Sequence, residues 1–295
     1  MRSGDGIVPV VLAWWEDARA SRDALPWRGT RDPWEILLAE TMLAQTPVGR
    51  AAPRYRELVA RYPTAAACAE APVGDVIRSW SGLGYNRRAV LLHAAARMIV
   101  VRHEGSVPER LEELLALPGV GPYTARAVLA TAFGIEAAVV DTNVGRVLAR
   151  ALSGAPLGGA EAQRLADALV PRGLAREWNL ALMDFGSLVC RSTRPECDAC
   201  PVRAARLCTW REHGADADPS RGSAGVTARQ SRFAGSDRQG RGRIVEAARR
   251  APVAADEVAV VAGWPDDSER AGRVVSALLA DGVLVAREDG SLALP

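Results

Sequence analysis

Two carboxylates and four cysteines are the residues whose types and positions could do chemistry. Glu40 lies in Trp34-Glu35-Ile36-Leu37-Leu38-Ala39-Glu40-Thr41-Met42-Leu43-Ala44-Gln45. The Asp32-Pro33 start and the apolar spacing predict a helix with Ile36, Leu37, Leu43 and Ala44 on one face. Glu40 falls on that face, so its carboxyl is partly desolvated and its pKa is expected to rise toward the range of a general acid. A structural glutamate bonded to a neighbouring helix start is the plainer alternative. Asp141 precedes Thr142-Asn143-Val144, where its simplest role is an N-cap. A helix N-terminus would also hold that carboxylate ionised, as stabilising a positive charge requires. Cys190-x6-Cys197-x2-Cys200-x7-Cys208 packs four thiols into 19 positions. By spacing alone such a set holds either a tetrahedral zinc or a cubane iron–sulfur cluster. The fifth cysteine, Cys68, stands in an alanine-rich helix and reads as a small core residue.

Helices must position these groups. Val107–Ala116 reads as one helix and Tyr123–Phe133 as a second, with Leu117-Pro118-Gly119-Val120-Gly121 as the tight turn between them. Its glycines leave backbone amides uncovered beside a helix start, which suits a phosphate backbone gripped without sequence preference; a plain helix–turn–helix is the simpler reading. Val10–Ala18 begins an apolar helix whose Trp14 and Trp15 read as core. Four further helices are expected between Val48 and Val107, interrupted at Pro63, Pro72 and Gly82–Gly84. Residues 212–239 are poor in apolar side chains and read as linker. From Gly242 on, helices over Ile244–Arg250, Ala255–Ala262 and Ser268–Asp281 and an Asp289-Gly290 hairpin suggest a small winged-helix-like domain.

The 295 residues carry 37 basic side chains, every one an arginine, against 35 acidic ones, for a net charge of +2. So weak a balance gives no global attraction to nucleic acid, and any such face must be a local cluster of arginines. With no lysine in the chain there is no lysine amine to form a Schiff base with a sugar. No apolar run is long enough to span a bilayer and the start lacks a signal-peptide core, so no membrane association and a cytoplasmic location are expected. In a reducing compartment, bunched cysteines point to metal binding rather than disulfides.

The turn at Leu117–Gly121 and the Val139-Val140-Asp141-Thr142-Asn143-Val144 segment resemble the helix-hairpin-helix and catalytic-aspartate segments of the DNA glycosylase superfamily that includes endonuclease III. Glu40-Thr41-Met42-Leu43-Ala44-Gln45-Thr46, together with Leu25-Pro26-Trp27-Arg28, resembles the adenine glycosylases of MutY type within it. The likeness runs from about Leu12 to Cys208. It implies an all-α, bilobal fold: a six-helix barrel lobe over 27–133 and an iron–sulfur lobe over 1–26 and 134–210. A linker over 211–239 and the winged-helix-like domain over 240–295 would follow.

The same resemblance implies a monofunctional DNA glycosylase acting on double-stranded DNA with a mismatch or oxidised guanine, as a monomer associated with the nucleoid. Glu40 would protonate the departing purine and Asp141 would stabilise the cationic sugar, the two acting like the carboxylate pair of a glycoside hydrolase. Tyr123, standing where bifunctional relatives carry a lysine, and Asn143 would orient them. Gln45, Leu83 and Tyr85 would enter the base stack at the opposite base, Arg87 and Arg88 would meet phosphate, and Leu117, Gly119 and Gly121 would grip the backbone. Cys190, Cys197, Cys200 and Cys208 would ligate a [4Fe-4S] cluster, with Arg191, Arg194, Arg203 and Arg206 as a basic patch around it.

Three departures stand out. Ala44 replaces the first of the family's two glutamines, the last cysteine gap is seven residues where five is usual, and the family's larger Nudix-like tail is missing. Adenine opposite 8-oxoguanine or guanine is the leading substrate. A thymine or uracil glycosylase for G:T mismatches is the first alternative, and a non-catalytic DNA-binding protein is the second.

Overall fold

The computed structural model describes residues 6–20, 24–212, 217–223 and 232–295. In chain order the helices are α1 (Ile7–Ala18), α2 (Pro33–Leu43), α3 (Val48–Arg61), α4 (Ala65–Glu70), α5 (Val73–Ser79), α6 (Arg87–His103), α7 (Leu111–Ala116) and α8 (Pro122–Val128). They continue with α9 (Thr142–Val147), α10 (Gly159–Asp167), α11 (Ala175–Leu188), α12 (Pro201–Ala204), α13 (Thr209–Glu212), α14 (Asp237–Arg250), α15 (Val258–Ala262) and α16 (Ser268–Ala280). α8 and α9 each run on into a π-helical turn, Leu129–Phe133 and Leu148–Ser153. Strands β1 (Val285–Ala286) and β2 (Leu292–Ala293) pair antiparallel, with Val285 opposite Ala293. Among the described residues the chain is all-α but for this hairpin, and the four expected helices between Val48 and Val107 are α3 to α6.

Two compact units result. One contains Met1–Ile36, Glu109–Leu115 and Val120–Ala228; the other contains Leu37–Pro108, Ala116–Gly119 and Arg229–Pro295. The boundary thus falls within α2 rather than at residue 26, and the C-terminal helices belong to the same unit as α3 to α6.

The core of the first unit joins Ile7, Val11 and Trp15 of α1 to Val144 and Val147 of α9, Trp178 and Phe185 of α11, and Trp210 of α13. Trp14 meets Phe185 edge-on at 5.2 Å, so both tryptophans of α1 are packing residues, as their spacing suggested. Asp184, buried on α11, accepts from Trp15 Nε1 at 3.1 Å and from Arg28 Nη2 at 2.9 Å. A buried carboxylate demands such partners, and these tie the Trp27-Arg28 segment to α11.

Part of the expected linker is built into this unit. Arg150, 1% exposed, donates Nε to Asp218 Oδ1 at 2.9 Å and Nη2 to Oδ2 at 2.5 Å. Ser220 and Ser223 beside it are buried, and the Ser223 hydroxyl accepts the Leu157 amide at 3.1 Å. An interior guanidinium needs a fixed anion, and low apolar content in the sequence concealed that need. Residues 213–216 and 224–231 of the expected linker lie outside the described residues.

In the second unit, α4 and α5 pack on α6 around Leu58, Tyr62, Ile77, Trp80, Leu92 and Ile99. α14, α15 and α16 pack on one another and α14 also meets β2, so three helices and a hairpin lie together. Gly240 of α14 is required there, because a Cβ would lie 2.1 Å from the Trp264 ring. A Cβ on Gly74 of α5 would lie 2.1 Å from the Pro295 carbonyl oxygen, so the C-terminal residues rest on α5.

Candidate functional site

Asp141 caps α9. Its Oδ1 accepts the Val144 amide at 2.7 Å and its Oδ2 accepts Asn143 Nδ2 at 2.8 Å. Burial pushes the pKa of Asp141 above the ordinary carboxylate value, and the Val144 and Asn143 hydrogen bonds and the charge of Arg146 pull it only part of the way back. The helix start therefore moderates the desolvation of this carboxylate without fully offsetting it.

Asn143 is held in turn by Arg146. That side chain donates Nη2 to Asn143 Oδ1 at 2.7 Å and to the Gly186 carbonyl at 2.6 Å, and Nε to the Cys190 carbonyl at 2.6 Å. Arg146 thus links the carboxylate's partner to the first cysteine. Spacing of i+3 from Asn143 was the only sequence sign of it. Gly186 is equally functional, because a Cβ there would stand 2.7 Å from Asn143 Cβ and 2.8 Å from its carbonyl oxygen. Only glycine lets α11 lie this close to the start of α9. Tyr123, half-buried at the start of α8, approaches Met183 Sδ of α11 with its hydroxyl at 3.8 Å.

The four clustered cysteines line a single cavity of about 20 Å³ together with Phe185, Val189, Val202 and Trp210. Arg150 Nη1 lies 3.6 Å from Cys190 Sγ and Arg211 Nε 3.4 Å from Cys197 Sγ. Burial pushes the thiols of Cys190, Cys200 and Cys208 up, so thiolates there call for a bound cation. Among the described residues, no three His, Cys, Asp or Glu side chains are grouped as a site for a metal ion. Cys68 is buried, with its thiol pushed up to about 12 by desolvation, as befits a core residue.

Glu40 lies half-buried on α2 in the second unit. Past the end of that helix Gln45 is exposed with φ 61°, and Tyr85, 41% exposed, has φ 47°. Left-handed backbone at non-glycine residues costs energy that the surroundings must override, and such residues cluster at functional sites. Arg88 does the overriding. Its Nη1 donates to the carbonyls of Thr41 (2.8 Å), Met42 (2.8 Å) and Ala44 (2.6 Å). Its Nη2 donates to Thr46 Oγ1 (2.9 Å) and to the carbonyls of Leu83 (3.2 Å) and Gly84 (3.1 Å). One guanidinium thus clamps the C-terminal end of the Glu40 helix to the Gly82–Tyr85 loop.

Two expectations are corrected here. Arg88 is spent on protein carbonyls and is not available to phosphate. Leu83 is 1% exposed, so its side chain anchors the loop and leaves Tyr85 as the projecting one. Arg87 is largely exposed, with Nε 3.3 Å from Asp281 Oδ1. At the hairpin turn Leu117 is buried and Gly119 adopts φ 77°, where a Cβ would also press 2.8 Å against Leu91 Cβ. Gly121 is exposed in extended conformation and caps α8, with Pro122 at its first turn.

Residues 38–171 match the HhH-GPD superfamily of base excision DNA repair proteins. The adenine DNA glycosylase of Mycobacterium tuberculosis is 41% identical over 294 residues, covering 97% of this chain and 92% of that protein. Such coverage is too complete to omit the C-terminal helices. Among solved structures, a thermostable thymine-DNA glycosylase superposes with a TM-score of 0.63 at 33% identity over 70% of this chain and 95% of its own. A non-covalent endonuclease III–DNA complex gives a TM-score of 0.58 at 26% identity over 71% of this chain and 97% of the other.

Proposed function

The chain belongs to the HhH-GPD superfamily of base excision DNA repair proteins and is a DNA glycosylase, and we propose that its substrate is adenine mispaired with 8-oxoguanine or guanine in double-stranded DNA. The observation that carries this choice is coverage. The adenine-specific relative aligns through 97% of the chain, tail included, whereas the thymine-DNA glycosylase structure covers 70%.

In this reading Glu40 protonates the departing purine at N7 as general acid. Asp141, ionised and held by the Val144 amide and Asn143, stabilises the oxocarbenium-like sugar electrostatically or as a transient adduct, and water completes the hydrolysis. Tyr123 orients these groups. Without any lysine the enzyme leaves an intact strand at an abasic site. Gln45 and Tyr85 enter the stack beside the opposite base, Arg87 meets phosphate, and the Leu117-Gly119-Gly121 turn grips the backbone.

Cys190, Cys197, Cys200 and Cys208 fit a [4Fe-4S] cluster. All four line one cavity, and arginines approach two of the sulfurs. Such a cluster cross-links the 190–208 loop and takes no part in bond cleavage. No helix among the described residues is long and apolar enough to cross a membrane; the enzyme of this reading works as a monomer on nucleoid DNA in the cytoplasm.

Single-turnover assays on duplexes with A:8-oxoguanine, A:G and G:T, with and without alkali, test the proposal. Adenine release with strand breaks only after alkali supports it. Thymine release with adenine untouched moves the protein to the thymine/uracil branch that its 33% identical structural neighbour represents.

A further inference from the structure

The C-terminal domain shares a cleft with the loop that carries Tyr85. The cleft, of about 1220 Å³, is lined on one side by Gln45 and the Gly82–Arg88 segment and on the other by α14 and Phe233. Apart from Arg88, already spent on carbonyls, seven arginines line it against two carboxylates, Glu246 and Asp281. Both acids are already in ion pairs, Asp281 with Arg241 at 2.7 Å and Glu246 with Arg250 at 3.3 Å. The excess is cationic and belongs to a channel for a polyanion. Aromatic rings stand on both walls, Tyr85 at 41% and Phe233 at 58% exposure, with the Arg238 guanidinium 5.9 Å from the Phe233 ring. Exposed rings among arginines are stacking and backbone-binding surfaces for nucleic acid.

The two walls are also fixed to each other. Arg249 of α14 donates Nη2 to Asn86 Oδ1 at 2.7 Å and to the Ile77 carbonyl at 3.2 Å, and the Ser81 hydroxyl approaches Glu246 at 3.4 Å. Gly242 completes the pattern. It sits inside α14, where glycine weakens a helix, yet a Cβ there would meet nothing within 4 Å. Among the described residues no packing demand accounts for it, in contrast to Gly240, whereas a close-passing strand would.

We infer that α14 is the second wall of a strand-binding cleft, and that its occupant is the phosphodiester backbone of the DNA strand opposite the excised base. α14, which supplies Arg238, Arg241, Arg243, Arg249 and Arg250 to the cleft, binds by charge and does not read bases. This rests on the glycosylase reading for which strand is bound, and on the cleft's own charge for the binding.

The test uses the full-length protein and a duplex with a tetrahydrofuran abasic analogue opposite guanine, titrated by fluorescence anisotropy between 50 and 300 mM NaCl. Arg238→Ala/Arg250→Ala should weaken binding about tenfold at the higher salt and reduce the slope of log K against log[salt] by roughly 0.9 per lost phosphate contact. Gly242→Glu, with space for its side chain, should weaken binding similarly without lowering Tm. Methylphosphonate patches on the analogue's partner strand should lower the parent's affinity and leave the double variant's unchanged. Slopes and affinities within twofold of the parent's for both variants overturn the cleft, whatever the parent cleaves. A parent that releases no base from any duplex but shows the variant-sensitive slope removes the glycosylase reading and keeps the cleft.

Discussion

Replacing Arg88 by methionine separates a structural clamp from a phosphate contact. Methionine keeps much of the apolar stem that passes Trp80 and Tyr85, whose ring centroids lie 5.4 and 5.5 Å from the guanidinium carbon. It removes donors from five carbonyls and the Thr46 hydroxyl. Hydrogen bonds from a charged donor contribute about 1.5–3 kcal/mol each in isolation. Six acceptors sharing one guanidinium are not additive, and burial of the cation offsets part of the gain, lowering its pKa to about 10. A net loss of about 3–5 kcal/mol is the sum to expect, of the size found when one partner of a buried charged network is removed. At about 2–4 °C per kcal/mol this lowers Tm by roughly 6–20 °C. Circular dichroism melts give that number, and single-turnover cleavage at a temperature where the variant is folded should fall as well, because Gln45 and Tyr85 lose the clamp that holds their left-handed backbone. A surface arginine on phosphate would behave differently: Tm would not move, and the salt slope of DNA binding would fall by roughly 0.9. A variant within 2 °C of the parent with a reduced salt slope refutes the clamp.

Asp141→Asn should cut single-turnover cleavage by about 10³-fold or more, in the range of losing a preorganised electrostatic group, while asparagine keeps the cap on Val144. Because burial raises the Asp141 pKa in the folded state, the carboxyl's contribution to stability is fully present below its unfolded pKa near 3.9 and is lost as pH rises through the folded value. The Tm of the Asn variant relative to the parent should therefore improve from acid to neutral pH, and the parent's cleavage should decline on acidification at a pH above the ordinary carboxylate range; a Tm difference flat with pH contradicts the burial argument. Gly186→Ala forces a methyl group against the Asn143 backbone and should cost about 1–3 kcal/mol by overpacking, with cleavage reduced more than DNA affinity; unchanged melting would show that α11 can shift away. For the cysteine cavity, anaerobically purified protein should contain about four iron and four sulfide per chain, as expected for a cubane, and Cys197→Ser should lower the iron content; one zinc per chain with no sulfide rejects the cluster.

Much of this protein could be read before folding because its signals are local. The Pro33 start of α2, the Asp141 cap, the glycine turn at 119 to 121 and the bunched cysteines each depend on a few consecutive residues whose backbone preferences or ligand spacing are intrinsic. The absence of lysine was likewise a property of composition, and it limits the chemistry in any fold. What tertiary structure decided are roles that depend on what lies across a gap in sequence. Arg87 and Arg88 are neighbours of one type, yet one faces Asp281 with most of its side chain exposed and the other is consumed by carbonyls 44 to 47 residues away and by those of the adjacent loop. Leu83 and Tyr85 lie two residues apart in one loop, yet only one projects. Asp218, in a stretch that composition marks as linker, is fixed by the buried Arg150. Asp141 is capped as its sequence implies, but the burial that raises its pKa comes from tertiary packing. The division follows from range: torsional preferences and spacing act between adjacent residues, while desolvation, charge pairing and steric closeness exist only once distant segments have been brought together.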